Sequence, residues 1–295
     1  MKSMNTIVEN CTAIAAGMLV EDEDARYEAA RALARLGRPA VEAALELIAS
    51  PDVLSRYMAC YVLGQVSDPG REDYVRLTDG IPTLMHVLES DPDETVRGSA
   101  ACALGHHGYV EASQLLCGQI GAASSQLRFD VAWALSSFGD WCWERMPGSK
   151  EMAQKALLTL TYDEDEKVRD WAVFGLHQGD NDTPEVRARF WEAIVDDCPA
   201  VRGEAVSGLA KFGARSLIPR LIELLEKEDF MPLYFEAAEY LNDPALLPAV
   251  LAAEQRWRDG LEEGEEMHDY VTSAVATLKG LGSTGDNEVD SAPIS

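Results

Sequence analysis

The stretch DEKVRDWAVFGL, residues 165–176, decides the fold. On a helical wheel Val168, Ala172 and Leu176 recur at four-residue intervals and share one stripe, the mark of a helix face packed against a neighbour. Ala172, in the middle of that stripe, lets the neighbour come close. Asp165 stands three residues before Val168, where its carboxylate can accept an orphan backbone N–H of the first turn, so the helix start is written as well as its buried face. The same frame, a small or apolar residue followed by Arg-x-x-Ala-x-x-x-Leu, begins at Ala25, Ser55, Val96, Leu127 (with Val131 for the alanine) and Val201. Capping residues precede the first four of these, at Asp22, Asp52, Asp93 and Ser124. One more copy, Leu233 to Leu241, has Tyr234 in place of the arginine. The arginines Arg26, Arg56, Arg97, Arg128, Arg169 and Arg202 are separated by 30, 41, 31, 41 and 33 residues, which sets a unit of just over 30 residues.

Between these helices lie second helical segments at 40–49, 81–88, 111–120, 151–160, 185–195, 216–225 and 245–254. Each unit is therefore a helical hairpin that cannot bury its apolar stripe alone, and burial requires neighbours to stack. The expected fold is all-α: an α-solenoid of stacked antiparallel helix hairpins, a single domain over residues 1–281 with about seven to eight pairs. The two long intervals place insertions near 67–80 and 139–149. Trp141, Trp143 and Met146 make the second one apolar, so it either folds back over a repeat edge or presents a contact site. Residues 282–295, small, polar and acidic, are expected to form a disordered tail.

Composition narrows the functional classes. Asp and Glu total 51 against 25 Lys and Arg, a net charge of -26 that repels a phosphate backbone and an anionic membrane surface and favours capture of a basic protein. Nucleic acid and membrane partners are therefore not expected. No apolar stretch reaches the length of a membrane span, and the first residues lack a signal-peptide pattern, which makes a cytoplasmic protein the expectation. Cys11, Cys60, Cys102, Cys117, Cys142 and Cys198 are scattered without a C-x-x-C pair and read as small reduced core residues.

The D-x-x-V-R-x-x-A-x-x-x-L pattern, with preceding helices such as IPTLMHVLE and LIPRLIELLE, resembles the HEAT repeat over roughly residues 5 to 280. That resemblance speaks for the fold and hardly for activity, since HEAT proteins include scaffolds, transport receptors, lyases and other enzymes. It implies that the arginine helices line the concave surface and that the repeating arginines form structural ladders between repeats. Residues two and six after the first frame position then project away from the packed stripe, into a groove. Tyr27, Tyr57, Phe129 and Asp170 occupy the first offset, and Tyr61, Trp133 and Phe174 the second; Asp130, Trp171 and His177 stand beside them. These ten residues are the candidate partner-binding set, because flat aromatic anchors supply desolvated area and carboxylates pair with Lys or Arg. The competing reading is that several of the aromatics fill gaps between successive helices.

No catalytic residue, metal site or cofactor is expected. The five histidines form no H-E-x-x-H or His-Glu pattern, so the paired iron motifs of HEAT-like deoxyhypusine hydroxylases are missing, and GHHG at 105–108 reads as a helix end. A groove poor in lysine also argues against HEAT-like DNA glycosylases. The expected function is a non-catalytic, acidic, protein-binding HEAT scaffold with a basic partner; compact acidic HEAT proteins of this kind include immunity proteins that neutralise toxins. The alternatives are a HEAT-like chromophore lyase or chaperone, with a conjugated ligand against Tyr57, Phe129, Trp133 and Trp171, and a structural spacer in a larger assembly.

Overall fold

In a computed structural model the described residues are 22–66, 78–146, 148–227, 231–260 and 266–284, and every regular element among them is helical. The chain divides into two compact units, Met1–Gly175 and Leu176–Ser295.

In the first unit the arginine-frame helices are α1 (Glu23–Ala34), α3 (Val53–Gln65), α5 (Glu94–His106), α7 (Ser125–Ser136) and α10 (Glu166–Gln178), the last of which runs across the unit boundary. Alternating with them are α2 (Arg38–Ile48), α4 (Ile81–Ser90), α6 (Ser113–Cys117, entered through a 3-10 turn at Val110–Ala112) and α9 (Ser149–Leu160), with the single turn α8 (Asp140–Trp143) in the second insertion. Helices α1, α3, α5 and α7 pack one on the next, and α3, α5 and α7 each also pack on the helix before them, so the stacking is local in sequence. The second unit repeats the scheme with α11 (Pro184–Ala193), α12 (Pro199–Lys211), α13 (Ile218–Leu225), α14 (Pro232–Leu241), α15 (Leu247–Gly260) and α16 (Glu266–Thr284), in which α12 packs on α14 and α14 on α16.

The predicted stripe is the core: Val96, Ala100 and Leu104, and likewise Val201, Ala205 and Leu209, are fully buried. The predicted caps form too. Asp22, Asp52, Asp93 and Ser124 accept backbone N–H groups of Ala25, Ser55, Thr95 and Leu127, and Asp165 accepts from Lys167. The helix expected over 111–120 is shorter, ending at Cys117, because Gly118 and Gly121 favour leaving the helix. Helix α16 extends three residues into the segment expected as a tail. The remainder of that tail, 67–77 of the first insertion, and residues 1–21 lie outside the described residues.

The repeating arginines act as clamps. Arg56, Arg128, Arg169 and Arg202 each donate through one Nη to the carbonyls five and six residues earlier, and Arg97 to Asp91 O, so each ties down the loop that enters its own helix. Arg56 and Arg128 also reach forward to the next loop in two-pronged pairs, with Asp91 (2.7 and 3.0 Å) and with Asp163 (2.6 and 2.9 Å). These arginines hold the scaffold together and do not form a free anion-binding row. In the second insertion Trp143 packs edge-on against the buried Phe138, and Arg145 donates to Gly108 O and Glu111, which ties the segment back onto the preceding hairpin.

Candidate functional site

Counting the first residue of each frame as zero, positions -1, 2, 6 and 10 fall within about 80° of one another on the wheel, opposite the stripe at 0, 4 and 8. In the first unit these positions on α1, α3, α5 and α7, together with Trp171 of α10, line a cleft of about 510 Å³. Thr95 and Gln126 come from position -1; Tyr27, Tyr57 and Phe129 from 2; Tyr61, Cys102 and Trp133 from 6; Gln65 and His106 from 10. Ser99, Asp130 and Trp171 at position 3, with Ala103, close its base and flank.

The aromatic side chains form two contact groups, one of tyrosines and one around Trp171. Tyr27 and Tyr57 share a hydroxyl–hydroxyl hydrogen bond of 3.0 Å, and Tyr61 meets Tyr27 edge-on with ring centroids 4.9 Å apart. Trp133 has His106 at 4.7 Å and Trp171 at 6.4 Å, and Trp171 in turn meets Phe129 at 6.2 Å and Phe174 at 5.2 Å, all edge-to-face. Such contacts fix ring orientation and leave ring faces for a ligand. Burial, and then the bond to Tyr27, push the Tyr57 hydroxyl far above its ordinary range, so it remains a neutral donor.

Asp130 is the one acid on this lining. It is 8% exposed, and its Oδ1 accepts from Gln126 Nε2 at 2.9 Å and Cys102 Sγ at 3.5 Å. Its Oδ2 lies against Gly98, where any Cβ would collide with it, so the glycine is what admits the carboxylate. Burial raises the Asp130 pKa to about 6, against the lowering effect of the two hydrogen bonds. Among the described residues no base pairs with it.

Of the ten residues expected at a partner surface, the structure brings Tyr27, Tyr57, Tyr61, Phe129, Asp130, Trp133 and Trp171 together on this cleft, and Phe174 packs behind Trp171. Asp170, half-buried on α10, does not line it. His177 belongs to the second unit and is 0% exposed, its Nδ1 3.0 Å from Glu204. Two neighbouring acids of the second unit are likewise satisfied internally, Glu204 by His177 and Glu236 by Ser207. Gln65, Thr95, His106 and Gln126 lie outside the expected set, which is built on offsets 2 and 6 and their neighbours. The same wheel carried one step either way reaches all four. Among the described residues, no group of three or more His, Cys, Asp or Glu is placed to hold a metal ion, and no helix is long and apolar enough to cross a membrane.

A model of HEAT repeats matches residues 81–145 and 153–242, more than half of the chain, and the chain belongs to the HEAT repeat family. Protein YibA of Escherichia coli is 26% identical over 274 residues, covering 88% of this chain and 89% of YibA. The X-ray structure of Escherichia coli YibA aligns over 95% of this chain and 97% of that one, at 22% identity and a TM-score of 0.67, a likeness of fold. Human deoxyhypusine hydroxylase (19% identical, 94% and 98% covered, TM-score 0.38) and the CpcE–CpcF complex of phycocyanin lyase from Nostoc (16%, 91% and 94%, 0.47) also align. The expectation that the chain is not an enzyme does not stand, because the solved structures that align with it include a hydroxylase and a lyase. Neither likeness assigns a reaction to this chain.

Proposed function

We propose that the chain is a protein-binding HEAT scaffold whose first unit captures a basic protein through the aromatic and acidic cleft on α1, α3, α5, α7 and α10. The observation that carries this reading is the pairing of an aromatic wall with a buried carboxylate that has no internal base. Aromatic anchors and a desolvated charge are what concentrates binding energy at protein interfaces. The net charge of -26 adds long-range attraction for a basic surface. In its narrower form the partner is a toxin and the chain its immunity protein, which acts by covering the toxin's basic substrate cleft; charge and family resemblance support that form.

The test is a titration of a basic partner recovered on the immobilised chain, at rising ionic strength and against the double variant Trp133→Ala, Phe174→Ala. Affinity falls by about tenfold or more in each arm. A partner held equally well at high salt and by the double variant is recognised elsewhere, and the cleft reading fails.

A further inference from the structure

We propose that the Asp130 cleft is a receptor for a single organic cation, a guanidinium or ammonium group, seated between the Asp130 carboxylate and the ring faces of the surrounding tyrosines and tryptophans. The protein-capture reading enters only through the source of that cation. Three features of the cleft converge on this chemistry. First, the carboxylate is desolvated and its Oδ2 receives no hydrogen bond from the described residues, because both donors, Gln126 and Cys102, go to Oδ1. A buried carboxylate is unfavourable until an opposite charge meets it. Second, neither lysine nor arginine is among the residues lining the cleft, and the one imidazole there, His106, is exposed and meets Trp133 edge-on. The counter-charge is thus left to come from outside. Third, Tyr27, Tyr57, Tyr61, Phe129, Trp133 and Trp171 line the same cleft as Asp130, and aromatic rings attract cations to their faces.

The volume agrees. About 510 Å³ lies within the range of roughly 300–1,000 Å³ usual for small-ligand sites, enough for a long cationic side chain with its stem. A neutral aromatic ligand would bury Asp130 further without pairing it. The second unit supplies an internal contrast, since its corresponding acid at frame position 3, Glu204, already has an imidazole partner in His177.

The experiment is isothermal titration of the full chain with three probes: the capped tripeptide Gly-Arg-Gly, its citrulline counterpart, which has the same shape without the charge, and agmatine, a free guanidinium amine. The arginine tripeptide binds saturably and the citrulline one about tenfold or more weakly. Asp130→Asn, which keeps the shape and an acceptor for Gln126 and Cys102, weakens arginine binding by about 30-fold or more. Gly98→Ala keeps every charge but displaces the carboxylate, and also weakens it, with circular dichroism confirming the fold of both variants. Agmatine binding more tightly than the tripeptide assigns the site to a free small cation and removes the protein-capture reading while the cation site stands; the reverse order assigns it to a peptide side chain. Equal binding of the arginine and citrulline tripeptides, or unchanged binding by Asp130→Asn, overturns the proposal.

Discussion

Replacing Asp130 by asparagine should make the protein more stable at neutral pH, with a pH dependence that identifies the cause. Burial lifts this carboxyl from its ordinary 3.8 to about 6, and a displacement of that size is worth about 3 kcal/mol of penalty on the charged form. Because the folded value lies above the unfolded one, the native state binds more protons than the unfolded chain between about pH 4 and pH 6. Wild-type stability therefore falls as pH rises through that window, and the whole penalty is present above it. Asparagine removes the charge and retains an oxygen for Gln126 and Cys102, but its amide nitrogen beside Gly98 finds no acceptor, which returns about 1 kcal/mol. The net expectation is a gain of about 2 kcal/mol at pH 8 that shrinks as pH falls through the window and becomes a loss of about 1 kcal/mol once the wild-type carboxyl is protonated. Urea denaturation of wild type and variant at a series of pH values, followed by tryptophan fluorescence and circular dichroism, measures the difference directly. A difference that stays flat from pH 4 to pH 8, or a variant less stable at pH 8, refutes the account of a desolvated, uncompensated acid.

Three other outcomes follow from the packing. Arg128→Ala leaves Asp163 and two loop carbonyls without their donor and should cost about 3–5 kcal/mol, whereas Arg220→Ala, whose pair with Glu223 is at the surface, should cost less than about 0.5 kcal/mol; thermal melts of the two variants compare them. Gly64→Ala puts a methyl 2.8 Å from Ala103 Cα, where α3 meets α5, and should destabilise by about 1–3 kcal/mol in the same melts despite alanine's better helix propensity. The Cys102 thiol, held well above its ordinary range by burial and then by the charge of Asp130, should lag behind a free thiol in iodoacetamide labelling at pH 8, read by peptide mapping; labelling at the rate of glutathione would contradict that environment.

How much of this was legible in the sequence differs between scaffold and site. The scaffold is periodic, and its physics is local: a stripe at 0, 4 and 8, a cap three residues earlier, an arginine that reaches back five and six residues to its own loop. A frame such as Val96 to Leu104 can therefore be read in isolation. The site is assembled from five helices, and its residues acquire meaning only from the register between them. Tyr57 and Phe129 were visible because they recur at one offset. His177 misled because it sits at position 9, beside the packed stripe, where it turns to Glu204 and is buried. Asp130 could be nominated from sequence but its state could not, since its pKa depends on Gly98 of the preceding frame making room for it. The apolar pattern over 111–120 predicts a helix to Ile120, whereas in the chain Gly118 and Gly121 follow a helix that ends at Cys117.

The arginine clamps have a consequence for how this surface can change. Each clamp, with its cap and its stripe, occupies positions of the frame that the cleft does not use, so each arginine-frame helix of the cleft carries two vocabularies interleaved on one backbone. Substitutions at positions -1, 2, 6 and 10 rewrite what the cleft says to a ligand while the stacking grammar at 0, 1, 4 and 8 is left intact. A library varied at the former and fixed at the latter would thus sample new specificities on an unchanged frame, helix by helix.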